Sequence, residues 1–450
     1  MHALLALLVG FAVQDKPFDS GLGALAQDKP PEKPPEKPSG PVFTTKAIKV
    51  EIGGQLRLRA EYRSPIAYAN AAATPKDDMV EDQDLLLERI RLNLKFSLED
   101  SIEVFFQPQD QRTFGDEASV LSDEANLDVH QGFVEIKDFL TPGFSIKAGR
   151  QELSYGDQRL VSPLDWSNIA RSWDGLKLRY AGDGWWTEGF FTVIKEVQGG
   201  EDDQDFYGLY TSFTGLVGHE LDAYVFGRQL DDNSQPSETV PAAVNDRRDW
   251  TAGLRLKGKS AGLDYTGEAM VQRGQVGGDR VKAWAGALTL GYTLDLDWKP
   301  RIGFEVTHAS GDGDPADGEI GTFDPLFPFG HYYQGFADVF AFKNGRDLVV
   351  SLRAEPASGF SVQLDLHAFR LVEEEDAWYN FAGAAIRRDA TGGAGGDVGR
   401  EVDLHARLAL GRHLKFWGGW SHFFPGSFVE DTPGTERSMD WFFLQVGVDF

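Results

Sequence analysis

Basic residues recur along this chain at two-residue spacing, each between apolar neighbours. Arg57 and Arg59 alternate with Leu56, Leu58 and Ala60; Arg89 and Arg91 alternate with Ile90 and Leu92; Lys177 and Arg179 alternate with Leu176, Leu178 and Tyr180. Arg255, Arg353 and Arg407 sit in further runs of the same kind. A period of two puts the basic groups on one face of a strand and the apolar groups on the other. Arginine makes planar, bidentate contacts with carboxylates and does not lose its proton. A row of such groups on a wet wall suits a polymer of carboxylates, because several moderate contacts both admit and release it. The bland alternative is that these arginines brace the wall by pairing with acids such as Glu61, Glu268, Asp365 and Asp403. For any single arginine the two readings weigh equally. For the groups on 55–63, 89–95 and 177–179 taken together, contact with an anionic cargo is favoured.

Other chemistries have less support. The run GDGDPADGE (311–319) brings Asp312, Asp314 and Asp317 into a glycine-rich loop, where a hard cation such as Ca2+ finds carboxylate and carbonyl oxygens. It lacks the closing glutamate and flanking helices of an EF-hand, so a solvated turn is the plainer reading. No other cofactor is expected. Nine histidines, including His219, His331, His367 and His405, fall in no arrangement with Ser or Asp such as G-x-S-x-G, and no enzymatic activity is expected. The absence of cysteine excludes disulfides and Cys-ligated metal. A net charge of -26, with no basic tract, argues against a nucleic-acid partner.

The elements that would carry these rows are strands. Beyond those named, Ala252, Leu254 and Leu256 oppose Arg255 and Lys257, and Val402, Leu404, Ala406 and Leu408 oppose Asp403, His405 and Arg407. Mean hydropathy is -0.33 and no internal run of about 18 apolar residues exists. No membrane-crossing helix is therefore expected, but a transmembrane barrel gives no such run either, since only alternate residues meet lipid. Connections come in two sizes. Ala181–Gly184 and Gly215–Gly218 are tight, whereas 64–84, 112–129, 309–346 and 371–399 are long and acidic. That asymmetry describes an outer-membrane barrel, with short periplasmic turns at one rim and long extracellular loops at the other. About 18 strands are expected between residues 46 and 450, closing into one antiparallel β-barrel with both ends on the periplasmic side. In that barrel Leu56, Leu92, Leu178, Leu254, Leu408 and Leu444 face lipid, while Arg57, Arg91, Arg179, Arg255 and Arg407 face the lumen. Alternation runs through Phe442, Leu444, Val446 and Val448 to the terminal Phe450. An outward aromatic at the last residue is similar to the terminal signal read by the barrel-insertion machinery.

Ahead of the barrel, residues 1–26 read as a secretory signal, with an apolar Ala3–Val13 core and Ala24-Leu25-Ala26 before the cleavage point. Residues 27–45 are a proline-rich linker, extended and semi-rigid.

Three stretches carry a family resemblance: GRQELSYGDQRLVSPLDWSN (149–168) with RSWDGLKLRY (171–180), GDGDPADGEIGTFDPLFPFGHYYQGFADVF (311–340), and GGWSHFFPGSF (418–428). They resemble the alginate-export family of outer-membrane barrels. The resemblance implies an 18-stranded barrel that passes an anionic polysaccharide through a cation-lined lumen narrowed by inward loops. It also implies that Arg150, Arg159, Arg171, Asp165 and Asp174 surround the narrow zone. The acidic loops EDDQD (201–205) and EEED (373–376) depart from a pure anion funnel and put the substrate in question. A porin for small anions or sugars is the alternative function. Block of conductance by uronate oligomers separates the two, and lipid hydrolysis tests for a barrel enzyme.

Overall fold

The computed structural model describes residues 42–44, 48–64, 68, 82–114, 127–195, 204–240 and 244–450. Residues 1–26, read from sequence as a secretory signal, and most of the linker lie outside these residues. The linker's end, Val42–Thr44, is a short strand paired antiparallel with Lys49–Glu51.

Alternating sequence gives long strands, and long strands that bury one face must pair at both edges. Twenty strands share one sheet; two short ones, Val42–Thr44 and Glu319–Ile320, are additions, and the other eighteen form the wall. In chain order they are β1 (Ile48–Ser64), β2 (Gln83–Leu98), β3 (Ile102–Phe114), β4 (Asp128–Ile136), β5 (Phe144–Gln151), β6 (Trp173–Gly182), β7 (Trp185–Lys195), β8 (Gln204–Phe213) and β9 (His219–Pro236). They continue with β10 (Val244–Ser260), β11 (Leu263–Val276), β12 (Asp279–Thr293), β13 (Arg301–Ala309), β14 (Gly345–Ala357), β15 (Phe360–Leu371), β16 (Asp397–Leu410), β17 (Leu414–Pro425) and β18 (Met439–Asp449). Each pairs antiparallel with the next, and β18 returns to β1 along Gln55–Ser64. The barrel is closed, so no edge is left to face lipid. Closure includes the last residue: Phe450 and Gly54 exchange main-chain N–H and C=O bonds at 2.8 and 3.0 Å. The Phe450 ring lies over Gly54, where an added Cβ would come within 2.5 Å of it.

The two rims differ as expected. Tight turns such as Glu99-Asp100-Ser101, Asp183-Gly184 and Ser358-Gly359 link strands at the rim that also holds the start of β1 and the end of β18. The other rim carries the long connections, with one exception. There Gly277-Gly278 joins β11 to β12 in two residues of positive φ, a turn that only glycine makes without strain. Facing follows the alternation. Leu92, Leu178 and Leu254 are exposed on the outer surface, and Leu56, Leu408 and Leu444 are half-buried. Arg57, Arg91 and Arg255 are buried, and Arg179 and Arg407 half-buried, on the opposite face.

Two connections fold inward across the lumen: the β5–β6 connection (residues 152–172) and the β13–β14 connection (310–344). The second holds the one-turn helix α1 (Gly330–Tyr333). The largest apolar cluster forms where Leu153, Tyr155, Leu160 and Val161 pack on inward aromatics of the wall, among them Phe190, Phe206, Tyr210 and Phe226. The core thus sits inside the barrel, between loop and wall.

Candidate functional site

The β5–β6 connection has no secondary-structure ladder of its own, so its carbonyls need outside donors. The wall supplies arginines. Arg57 donates to the carbonyls of Asp165 and Ser167 at 2.5 and 2.9 Å. Arg59 donates to the carbonyl of Trp166 at 2.6 Å and to the Glu61 carboxylate at 2.6 Å, with its guanidinium 3.8 Å over the Trp166 ring. Arg89 reaches the Asp165 carbonyl at 3.1 Å, and Arg89 and Arg91 ion-pair with its carboxylate at 2.9 and 2.8 Å. A buried guanidinium is costly unless its charge and donors are met, and an irregular loop is costly unless its acceptors are met. Each satisfies the other here. The protein that partly surrounds the Asp165 carboxyl would by itself raise it; Arg89, Arg91 and Arg57 outweigh this and hold it below its ordinary range.

The β13–β14 connection is tied to the first loop. Ser162 N–H donates to Phe327 O at 2.9 Å, Phe327 N–H to Leu160 O at 2.8 Å, and Phe329 N–H to Gln158 O at 2.9 Å. Arg159 pairs with Glu305 of β13 at 2.8 Å and lies 3.9 Å over the Tyr333 ring, while the Tyr333 hydroxyl donates to Asp157 O at 2.6 Å. Arg171 donates to Pro328 O at 2.9 Å, and its burial lowers its pKa to about 10. Three strands round the wall from β1, at β16, the polarity reverses. Phe336 N–H donates to Asp403 at 3.2 Å and Ala337 N–H to Glu401 at 2.8 Å, both carboxylates on β16. Trp166 stacks on His331 at 4.2 Å, with Trp441 and Phe443 of β18 set edge-on around it. The two loops therefore form one plug, slung between arginines of β1–β2 and carboxylates of β16.

Other basic residues expected at the site also have internal partners. Lys177 and Arg179 meet Glu188 at 3.1 and 3.6 Å. Arg255 meets Glu220 at 2.6 Å, Asp222 at 3.1 Å and Asp157 at 3.6 Å. Arg353 meets Glu355 at 2.8 Å. Arg407 differs. Its guanidinium carbon lies 3.9 Å over the centre of the Trp417 ring, and among the described residues it has no carboxylate or hydrogen-bond partner. It borders a cavity of about 380 Å³ shared with Lys299, Glu355, Ser358 and Ser361, at the short-turn rim.

Two residues lie elsewhere than expected. Arg150 and Asp174 pair with each other at 2.8 Å on the outer surface, not in the narrow zone. Asp174 follows the inward, buried Trp173 and shares the outward register of Leu176 and Leu178; Arg150 shares that of Ile146 and Ala148. Strand alternation alone fixes this, and it overrides what the resemblance implied. The aspartates of 311–319 bind main chain: Asp312 accepts from Asp314 N–H and Gly321 N–H, Asp314 from Ala316 N–H, and Asp317 from Glu319 N–H. Among the described residues no group of three acidic or histidine side chains converges as metal ligands would.

Sequence reading missed Trp166, His331, Glu401 and the Asp324 carboxylate that takes Arg228 and Arg247 at 3.1 and 2.9 Å. Their partners are more than 60 residues away in the chain, and each contact involves a loop residue that carries no period to mark it.

A family model described as alginate export matches residues 48–443. No curated protein matches the chain. Among solved structures, Pseudomonas aeruginosa OccK11 (OpdR) is similar at 12% identity and TM-score 0.57, over 89% of this chain and 96% of that one. Pseudomonas aeruginosa OccD3 (OpdP) is similar at 10% identity and TM-score 0.58, over 89% and 91%. The outer membrane protein OprD of the same organism is similar at 13% identity and TM-score 0.54, over 89% and 93%. At such identities the likeness is one of fold.

Proposed function

The chain belongs to the alginate-export family and is an outer-membrane barrel of the channel type, and from that premise we propose that it exports an anionic polysaccharide, received at the periplasmic rim by Arg407. The observation that carries this reading is the state of that guanidinium. The ten other arginines expected in the lumen or narrow zone hold a loop or a neighbouring acid, whereas Arg407 borders a cavity with its guanidinium over Trp417. Contact with the Trp417 ring restricts the side chain, and a restricted fork loses less freedom when it takes a carboxylate. Lys299 and Arg353 stand nearby but both pair with Glu355, so Arg407 is the cation the first uronate meets. Moving onward, a sugar acid passes Tyr332, Tyr333, Gln363 and Asp365, which line a further space of only about 50 Å³ beside the plug. A polymer needs the plug to shift there; a small solute does not. That narrowness favours a second reading, a porin for small anions or sugars.

Planar-bilayer recordings separate them. Uronate oligomers added on the periplasmic side are expected to block the conductance at concentrations where neutral oligosaccharides of equal length do not. Equal block by both, or none, favours the porin.

A further inference from the structure

Transport leaves unexplained a row of basic side chains on the outer surface at the long-loop rim. His308 of β13, Arg346 of β14 and Arg370 of β15 stand directly opposite one another on adjoining strands. Arg400 of β16 faces outward beside them, opposite Ala368. On β12, Arg280 and Lys282 extend the row, with exposed side chains. Below the row lies apolar wall: Phe304, Leu348, Val350, Leu366 and Leu404 are all exposed on the same outward register. Trp284 marks the boundary, stacked on His308 at 4.5 Å. A tryptophan at that level is the signature of the membrane interface. The basic row therefore sits at headgroup height.

Countercharge from the chain is sparse. Glu319 takes Arg280 and Lys282 at 3.3 and 3.0 Å. Among the described residues Arg346 has only the His308 ring, at 3.4 Å. Among the described residues neither Arg370 nor Arg400 has an ion-pair or hydrogen-bond partner. Like charges directly opposite on neighbouring strands destabilise a sheet. In a chain with net charge -26, acids were available to balance them. A row left unbalanced by the described residues is matched by an anion outside the chain.

We propose that this ledge binds the phosphate groups of an anionic glycolipid in the outer leaflet, with the lipid's acyl chains lying on the leucines beneath. Arginine's fork matches phosphate oxygens in pairs. Strands about 4.8 Å apart make a five-strand ledge roughly 20 Å wide, room for more than one phosphate. A free phosphate would meet the same forks without the apolar wall, and would bind more weakly. The inference rests on the outer-membrane barrel and its orientation, not on the cargo.

The test uses the full barrel in detergent, with three probes: lipid A carrying both phosphates, its dephosphorylated form, and inorganic phosphate. Native mass spectrometry reads retained lipid. Wild type is expected to keep the phosphorylated lipid about tenfold better than the dephosphorylated one, the weight of a single charge-assisted hydrogen bond. The variant R346Q/R370Q/R400Q is expected to lose that preference, while Arg150→Gln, outward in another sector, keeps it. Equal retention of both lipids by wild type would overturn the proposal without need of any variant. Displacement of the lipid by equimolar inorganic phosphate would overturn the lipid as occupant, and so would an unchanged preference in the triple variant.

Discussion

Arg89 meets Asp165 twice: one guanidinium nitrogen donates to the main-chain carbonyl at 3.1 Å, and the other lies 2.9 Å from the carboxylate of the same residue. A wall arginine thus holds both the backbone and the charge of a residue that belongs to the plug. Charge that looks from the sequence like a greeting for cargo is in fact spent on positioning a loop. Arg89→Met should therefore loosen residues 163–168 while the wall stays intact. A hydrogen bond to a charged group contributes about 2 kcal/mol, less here because Asp165 is half-open to lumen water. Hydrogen exchange of those amides should quicken and single-channel conductance should rise. Unchanged protection would show that Arg89 does not hold the loop.

The two loops should respond as one. They are joined at Val161 and Phe327, and their far anchors are Arg89 and Asp403. In a double-mutant cycle of Arg89→Met with Asp403→Ala, a coupling above about 0.5 kcal/mol is expected even though the anchors sit on separate strands, β2 and β16, and each holds a different loop. Simple additivity would mean that each loop moves alone.

Closure depends on Gly54. A Cβ there would come within 2.5 Å of the Phe450 ring and 2.6 Å of the Arg91 carbonyl, and the carbonyl is main chain that cannot swing away. Gly54→Ala should cost about 1–3 kcal/mol by overpacking at the seam. Deleting Phe450 should reduce outer-membrane yield while secretion continues. Normal yield from the truncated chain would argue that the terminal residue carries no assembly signal.

Much of the wall was legible in the sequence because a period of two survives any tertiary context. Leu92 out and Arg91 in follows from alternation alone, and so does the outward pair Arg150–Asp174. Placing that pair in the lumen let motif likeness override the period. The plug was legible only as a long polar segment. Whether Arg57 serves a cargo or the Asp165 carbonyl depends on where residue 165 lies in space, and nothing within 100 residues of Arg57 records it. Loop carbonyls and N–H groups are the same for every sequence, so the partners they take up cannot be read from side-chain type.

At the long-loop rim Glu238 gives a pH dependence. Burial, then the neighbouring charge of Asp312 and a hydrogen bond to it, then Asp279, raise its carboxyl to about 7. A raised carboxyl favours the folded arrangement while it is protonated. Its contribution is full below the ordinary carboxylate range and is lost as pH climbs through about 7. Limited proteolysis of 310–320 should be slower at pH 5.5 than at pH 8, and Glu238→Gln should flatten the difference. Faster cleavage at the lower pH would contradict the sign.

Flux of labelled oligouronate from proteoliposomes, against a neutral oligosaccharide of equal length, tests the proposed cargo most directly. Wild-type barrel should release the uronate faster, and Arg407→Glu should slow it toward the neutral rate by about tenfold, the weight of one charge-assisted contact. Release of the neutral sugar as fast as the uronate, with no change on Arg407→Glu, would contradict export of an anionic polysaccharide.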